Sequence, residues 1–267
     1  MTSMKCRTVT FISFFLVFFV TVSFTYAGQW VTFKGASESE DPFTLKGILT
    51  TPKGRGPYPA IVMLHGASGI EGRKKYLDKW IQRLAGWGYV SLLVDSFGPR
   101  GESDILTNMY LIPVQKRAQD AHDAKSYLAE LPFVNRNRIA LMGWSHGGWT
   151  VFRAIYEKTS IQNRGDPFRL AIAFYPYCDV PLRNLNAPLL ILIGELDDWT
   201  PAYICRFRMS SGKTTHETIL KVYPQVHHGF DLEGIDTSLL GHRLLYNLEA
   251  ANDAIDQVRH FLAKYLK

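Results

Sequence analysis

Cysteine is scarce in this sequence, and clusters of metal-ligating residues are scarcer still. The 267-residue chain has only three cysteines, which excludes a disulfide-dense miniprotein. Its formal net charge of +6 comes from scattered lysines and arginines without a long basic run, so no nucleic-acid partner is expected. Glycine, proline and hydrophobic residues occur at ordinary levels, which excludes a collagen-like or disordered chain. The length and composition are typical of a globular protein with a full core.

The first 27 residues predict a secretory signal peptide. Lys5 and Arg7 precede an almost wholly apolar stretch, and the small residues Thr25 and Ala27 stand at the −3 and −1 positions of a cleavage site. An uncleaved membrane anchor is the alternative, because the apolar stretch is just long enough to cross a bilayer. Cleavage would leave residues 28–267 in the periplasm or outside the cell. Their formal charge would be +4, since Lys5 and Arg7 leave with the signal. Beyond this segment, the sequence predicts no membrane span.

From residue 58 onward, short apolar runs alternate with stretches of helical periodicity. The runs are typical of strands buried on both faces of a parallel sheet. The predicted strands are 58–64, 88–94, 138–142, 170–175, 189–193 and 218–223, and the predicted helices are 74–87, 114–131 and 251–266. This alternation predicts a single α/β domain with a doubly wound, mostly parallel sheet and helices on both faces. Segments 30–33 and 44–49 are expected to add antiparallel strands at one edge.

The clearest catalytic motif is Gly-Trp-Ser-His-Gly-Gly at residues 143–148, between a predicted strand and a helical stretch. This is the context of a nucleophile elbow, which holds a serine on a tight, strained turn. Glycines two residues before and after the serine avoid collisions with neighbouring elements. Ser145 is therefore the predicted nucleophile, and the backbone N–H of His146 is a predicted oxyanion donor. A glycine-rich turn that only packs a helix on a strand is the alternative.

A serine nucleophile needs a histidine base and an acid that orients the histidine. Both residue types follow later predicted strands, at the carboxyl ends where open α/β sheets place their sites. We predict Asp197 as the acid, with Asp198 as the cap of the next helix. We predict His228 as the base, with His227 as its neighbour, because Gly229 lets the loop pass close to the serine. No other ligand cluster accompanies these histidines, so no metal is expected.

Several residues around the predicted nucleophile are further candidates. The loop after strand 58–64 should supply a second oxyanion donor, and the N–H of Ala67 is the best candidate because Gly66 permits a sharp turn there. Aromatic residues flank the predicted site and either wall an acyl pocket or belong to the core. These are Trp144, Tyr177, Trp199 and Phe230.

Two of the cysteines lie where a bridge is plausible. Cys178 and Cys205 both follow the ends of consecutive predicted strands, on the same edge of the sheet. In an oxidising compartment such a pair favours a disulfide, and two unrelated buried thiols are the alternative.

Taken together, these motifs resemble the dienelactone hydrolase family of the α/β-hydrolase superfamily. The resemblance covers about residues 45–267. It rests on HGASG at 65–69, DSFGPRG at 95–101, RIALMGWSHGG at 138–148, FYPYC at 174–178, GELDDWTP at 194–201 and HHGF at 227–230. It implies the α/β-hydrolase fold and the hydrolysis of an ester or lactone without a cofactor. The family's namesake enzymes use a cysteine nucleophile, so with Ser145 this chain is similar to the serine-type members.

The sequence therefore predicts a serine hydrolase that cleaves carboxylic esters or lactones through an acyl-enzyme, with a small molecule as its partner. A serine peptidase of the prolyl-oligopeptidase type is one alternative, although those enzymes carry a large extra domain. A non-catalytic binding protein on the same fold is another, and the complete set of triad residues argues against it.

Overall fold

An eight-stranded sheet forms the centre of the protein in a computed structural model that describes residues 26–35, 43–157, 166–210 and 212–267. The strands are β1 (Gln29–Gly35), β2 (Phe43–Thr50), β3 (Tyr58–Leu64), β4 (Val90–Asp95), β5 (Val134–Trp144), β6 (Ala171–Phe174), β7 (Leu189–Gly194) and β8 (Thr218–Tyr223). Their order across the sheet is β1-β2-β4-β3-β5-β6-β7-β8. β2 runs antiparallel to both β1 and β4, and every other pair in this sheet is parallel.

Helices cover both faces of the sheet, as the predicted doubly wound fold requires. They are α1 (Lys74–Gly86), α2 (Val114–Glu130), α3 (His146–Ile155), α4 (Ala202–Ser210) and α5 (Leu248–Leu266). Each long helix buries a stripe of apolar side chains spaced three and four residues apart. On α1 the stripe is Leu77, Trp80, Ile81 and Leu84. The central strands are buried on both faces, and β7 is buried at every position, which explains its continuous apolar run.

The order of the strands in the sheet determines where the site lies. The chain adds β4 on one side of β3 and β5 on the other, so the strand order reverses at β3. Ligands of open α/β sheets bind at the carboxyl ends of strands beside such a reversal. Ser145, Asp197 and His228 follow the ends of β5, β7 and β8, respectively, so the topology brings these distant parts of the chain to one edge.

The sequence-based elements agree with the structure, with shifts at their ends. Strands 58–64 and 218–223 coincide with β3 and β8, whereas β5 begins four residues before the predicted 138–142. α5 begins at Leu248 rather than Ala251, because Asn247 caps it by accepting a hydrogen bond from the backbone N–H of Ala250 at 2.9 Å.

One element of the structure was not predicted from the sequence. A hairpin of β9 (Asp236–Leu239) and β10 (His242–Leu245), which lies between β8 and α5 in the chain, forms a second, two-stranded sheet.

Residues 1–25 of the predicted signal peptide lie outside the described residues. Within the described ranges, no helix combines the length and the apolar character needed to cross a bilayer.

A disulfide links Cys178, in the loop after β6, to Cys205 on α4. Both residues are buried. The bridge therefore ties α4, which begins shortly after Asp197, to the loop at the end of the neighbouring strand.

Removing this bridge is expected to destabilise the protein substantially. The two cysteines are 27 residues apart, and opening a loop of this length should lower the free energy of unfolding by about 3–4 kcal/mol. Urea unfolding of a Cys178→Ala/Cys205→Ala double variant would measure the change. The control is the wild-type protein unfolded in the presence of a thiol reductant, and its urea midpoint should approach that of the variant. Equal urea midpoints for the variant and the oxidised wild type would contradict the prediction.

Candidate active site

Ser145 occupies a strained turn between β5 and α3. Its backbone has φ 53° and ψ −117°, a region that a residue with a side chain rarely adopts. A Cβ on Gly143 would lie 2.4 Å from the carbonyl oxygen of Gly147, and a Cβ on Gly147 would lie 2.2 Å from that of Leu64. The two glycines are therefore needed for α3 to pack directly on β3 and β5, which holds the serine at the sheet edge.

A chain of hydrogen-bonding side chains leads from Ser145 into the protein. The Oγ of Ser145 lies 3.1 Å from Nε2 of His228, and Nδ1 of His228 lies 2.8 Å from Oδ2 of Asp197. His228 and Asp197 are both buried. Since a carboxylate only accepts, Nδ1 of His228 donates to Asp197, and Nε2 is left to accept from the serine hydroxyl. The structure thus brings the three predicted triad residues together in the predicted order.

Asp197 is held by groups of its own loop. Its Oδ1 accepts hydrogen bonds from the backbone N–H groups of Trp199 at 3.0 Å and Thr200 at 2.8 Å. The hydroxyl of Thr200 lies 2.9 Å from Oδ2 of Asp197. The neighbouring Asp198 is exposed and has Nδ1 of His242 3.6 Å from its Oδ1. The carboxylate that reaches His228 is therefore that of Asp197.

The loops that carry the acid and the histidine are joined through their backbones. The N–H of Leu196 donates to the carbonyl of Val226 at 2.8 Å. A Cβ on Gly194 would lie 2.2 Å from that same carbonyl oxygen, so only glycine permits this approach. This contact fixes the spacing between Asp197 and His228.

The two predicted oxyanion donors flank Ser145. His146 is the first residue of α3, so its N–H lies at the positive end of the helix dipole. Ala67 lies in the loop after β3 and lines a cavity together with Ser145. The adjacent Gly66 is close to the serine, since a Cβ on it would lie 3.5 Å from the Cβ of Ser145. Of the two candidate residues, His146 is therefore next to Ser145 in the chain, and Ala67 lines the same cavity as Ser145.

A cavity of about 50 Å³ opens at Ser145 and His228. Its walls are mostly apolar, and Trp144 and Trp199 contribute to them, which is one of the two alternatives stated for these rings. Several other lining residues were not predicted from the sequence, and these are Arg73, Tyr76, Leu77, Leu106, Tyr175, Leu232, Leu239 and Leu244. Leu239 and Leu244 belong to the β9–β10 hairpin, so this unpredicted element covers one side of the cavity. The alternation of its residues is too short to be recognised from sequence.

The two other predicted pocket residues lie elsewhere. Phe230 is fully buried and packs against the rings of Phe174, Tyr175 and Tyr223, so it belongs to the core. Tyr177 is 38% exposed and packs edge-on against Trp149 outside the cavity lining. Of the two alternatives, Phe230 therefore takes the core position, and Tyr177 lies outside the lining of this cavity, because proximity in sequence to Ser145 or His228 does not determine where a ring points.

A buried carboxyl group supports the cavity wall. Asp231 accepts hydrogen bonds from the hydroxyls of Tyr76 and of Tyr175, the latter at 2.9 Å. The ring of Tyr175 in turn packs edge-on against the imidazole of His228, with 4.6 Å between ring centroids. Burial raises the pKa of Asp231 to about 6, and the two tyrosine hydrogen bonds oppose this shift. The position of Asp231, three residues after His228, was the available sequence signal.

Asp231 is expected to make stability depend on pH. The pKa of Asp231, about 6, exceeds the 3.8 of an ordinary aspartate. The stabilising contribution of Asp231 to the free energy of unfolding is therefore complete below about pH 4 and is lost as the pH rises through about 6. Two pKa units correspond to about 3 kcal/mol. The free energy of unfolding of Asp231→Asn, relative to the wild type, should therefore increase by about that amount from pH 4 to pH 7.

Urea unfolding at several pH values would test this pH dependence. Glu233→Gln is the matched control, because Lys79 lowers the pKa of that exposed carboxyl. The free energy of unfolding of Glu233→Gln, relative to the wild type, should therefore decrease as the pH rises. A difference between Asp231→Asn and the wild type that stays constant across this range would contradict the prediction.

The sheet topology and the placement of the strained serine define an α/β hydrolase. Comparison with known proteins then identifies the family. Residues 45–266 match the model of the dienelactone hydrolase family, so the chain belongs to that family and is a hydrolase. Its fold also matches the crystal structure of a dienelactone hydrolase from Anabaena variabilis with a TM-score of 0.65. That match has 17% identity and covers 91% of this chain and 100% of the other.

Two curated relatives differ in how much of them this chain spans. One is described as a probable 2-oxo-3-(5-oxofuran-2-ylidene)propanoate lactonase from a Bradyrhizobium species. It is 25% identical over 229 residues, which are 77% of this chain and 85% of the relative. The other, dipeptidyl peptidase 8 of mouse, is 28% identical over 148 residues, which are 52% of this chain and 16% of the peptidase. The chain thus spans most of the lactonase but a small part of the peptidase.

Proposed function

We propose that this protein is a secreted serine hydrolase that cleaves carboxylic esters or lactones through an acyl-enzyme. The observation that carries the proposal is the hydrogen-bonded chain from Ser145 through His228 to Asp197, with 3.1 Å and 2.8 Å between its polar atoms. A nucleophile, a base within reach of its proton and an acid that orients the base are the parts that acyl transfer needs.

In the first step, Oγ of Ser145 attacks the substrate carbonyl while Nε2 of His228 takes its proton. The resulting tetrahedral intermediate carries a negative charge on the former carbonyl oxygen. His228 then gives the proton to the leaving alkoxide, the carbon–oxygen bond breaks, and an acyl-enzyme remains on Ser145. For a lactone, the leaving alcohol stays attached to the acyl group.

In the second step, water replaces the alcohol. His228 takes a proton from the water, whose oxygen attacks the acyl carbon, and the histidine returns the proton to Oγ of Ser145 as the acid product leaves. Asp197 remains ionised throughout. It keeps Nδ1 of His228 protonated, so that Nε2 is free to accept, and it stabilises the imidazolium that forms in both steps.

The developing negative charge needs hydrogen-bond donors beside the serine. We assign this role to the backbone N–H groups of Ala67 and His146, because Ala67 lines the cavity at Ser145 and His146 follows Ser145 as the first residue of α3. One such donor contributes about 3–4 kcal/mol to the stability of the transition state.

The cavity supports a small, apolar acyl group. The cavity is small, with a volume of about 50 Å³, and most of its lining side chains are leucine or aromatic. Esters of short acids and small lactones fit this description better than long-chain esters do. The match to the lactonase relative, which covers 85% of that protein, agrees with a small lactone as substrate.

Peptide hydrolysis is the less supported activity. The dipeptidyl peptidase relative matches only over 148 residues, and most of that protein has no counterpart in this chain. Measurable cleavage of short peptide amides by this protein would favour a peptidase.

Secretion is supported by two separate features. The N-terminal segment has the charge and hydropathy pattern of a cleavable signal. The disulfide between Cys178 and Cys205 suits an oxidising compartment.

The proposed function is tested with a fluorophosphonate probe and a series of p-nitrophenyl esters. The probe should label one residue, Ser145, as located by mass spectrometry of the labelled peptide. Turnover should be highest for the acetate and fall as the acyl chain lengthens. A protein that neither reacts with the probe nor hydrolyses any ester or lactone would be a binding protein on this fold, and the proposal would be rejected.

A further inference from the structure

A fully buried arginine lies behind the nucleophile turn. Arg117 on α2 has no exposed surface. One terminal nitrogen of its guanidinium lies 2.7 Å from Nδ1 of His146, and the other donates to the backbone carbonyl of His65 at 2.6 Å. These two acceptors belong to different parts of the chain, namely the start of α3 and the loop after β3. A single planar group therefore bridges the two segments that flank Ser145.

The imidazole of His146 is held at both ends. Its Nε2 lies 3.0 Å from the carbonyl oxygen of Met109, which can only accept, so Nε2 carries the proton. Nδ1 then accepts from Arg117. Burial and, secondly, the charge of Arg117 lower the pKa of His146 to about 3, so the ring is neutral. Since the ring cannot turn, the backbone of His146 next to Ser145 is held as well.

The loop on the other side of the serine is held from two directions. Arg117 fixes the carbonyl of His65 from within the protein. Two residues later, the carbonyl of Ala67 accepts a hydrogen bond from the N–H of Ile105 at 2.9 Å. The peptide unit between these contacts includes Gly66, which lies close to Ser145. The hydrogen bond from Arg117 therefore contributes to the orientation of the Ala67 N–H, together with the hydrogen bond that the Gly66 carbonyl of the same peptide unit accepts from the N–H of Gly69 at 3.2 Å.

We propose that Arg117 is a positioning residue of the oxyanion hole, because its two hydrogen bonds set the relative placement of the Ala67 and His146 N–H groups. The inference rests on the proposed function. Burying a guanidinium is costly, and a well-packed apolar side chain would stabilise the fold at least as well. A rigid fork with two donors, however, can hold two acceptors at a fixed separation, which a lysine cannot do.

The test compares Arg117→Lys with the wild type on a p-nitrophenyl ester and on the matching thionoester. Sulfur is a weak hydrogen-bond acceptor, so the thionoester gains little from the oxyanion hole. We expect kcat for the ester to fall by about 100-fold, the lower end of the effect of losing one donor. KM should stay nearly constant. The thionoester rate should fall much less, so the ester-to-thionoester ratio of rates should drop at least several-fold.

A merely structural role for Arg117 would give a different result. Loss of folded enzyme lowers both rates in proportion, and titration of active protein with the fluorophosphonate probe corrects for it. His122→Ala is the matched control. This residue lies on the same helix, is also buried, and has its Nε2 2.9 Å from the carbonyl of Ala154, away from Ser145. Its loss should lower stability without changing the ratio.

A second variant covers the case in which Arg117→Lys does not fold. His146→Ala removes one acceptor of Arg117 but keeps the backbone N–H, and it should lower the ester-to-thionoester ratio in the same direction. An unchanged ratio in either folded variant would overturn the role of Arg117 and leave the proposed function intact. Normal ester turnover by Ser145→Ala would instead overturn the proposed function itself.

Discussion

Replacing Ser145 with alanine is expected to abolish ester hydrolysis and labelling by the fluorophosphonate probe. Without Oγ, His228 has no hydroxyl to activate and no acyl-enzyme forms. In a serine hydrolase whose triad acts as a unit, losing the nucleophile lowers kcat by about a million-fold. The residual rate should come from water attack assisted by the remaining groups, and no burst of p-nitrophenol should precede it. Stopped-flow absorbance would measure the burst and the steady-state rate together.

Ser68→Ala is the matched control for this experiment. Ser68 lines the same cavity as Ser145 but lies in the loop after β3, away from the elbow. Its replacement should leave the probe reaction and the burst intact. If Ser145→Ala kept a burst, or if Ser68→Ala lost it, the nucleophile would have been assigned to the wrong serine.

Replacing Asp197 with asparagine is expected to cause the second largest loss, of about 10⁴-fold in kcat. The oxygen of an asparagine can still accept from the backbone N–H groups of Trp199 and Thr200. Its NH₂ group would then face Nδ1 of His228 at the present Oδ2 position. Two donors cannot bond to each other, so His228 would move its proton to Nε2. That nitrogen could then no longer accept the proton of Ser145.

Asp198→Asn provides the control, because Asp198 is adjacent in sequence, equal in charge and exposed. It is expected to retain kcat within a few-fold, since exposed charges interact weakly with the site. Steady-state kinetics of both variants, corrected for the active fraction, would separate the two aspartates. A larger loss in Asp198→Asn than in Asp197→Asn would show that the acid had been misassigned.

The elements of this protein could be predicted because their signals are local. β3 and β8 are apolar runs bounded by turn residues, and the sequence marks their ends without knowledge of their neighbours. The elbow around Ser145 is recognisable from a short motif, although one of its two glycines, Gly147, is required by the close approach of Leu64 on the distant strand β3. The candidate acid and base followed from the rule that sites lie at the carboxyl ends of parallel strands.

The surroundings of the site could not be predicted, because they depend on contacts between distant segments. Tyr76 and Asp231 are 155 residues apart and meet only after α1 and the loop following β8 are packed. Phe230 stands next to the site in sequence, yet its ring points into the core. The β9–β10 hairpin is too short for its pattern to be recognised, although it covers one side of the cavity.

By itself, the sequence determined the α/β class, the order of the elements and the identity of the serine, acid and histidine candidates. These depend on periodicity, glycine spacing and topology rules that act within short segments or along the chain. Only the tertiary structure decided which side chains wall the cavity and that Arg117 bridges the loops on either side of Ser145. Side-chain direction and the pairing of buried polar groups depend on the packing of the whole core, which no local pattern encodes.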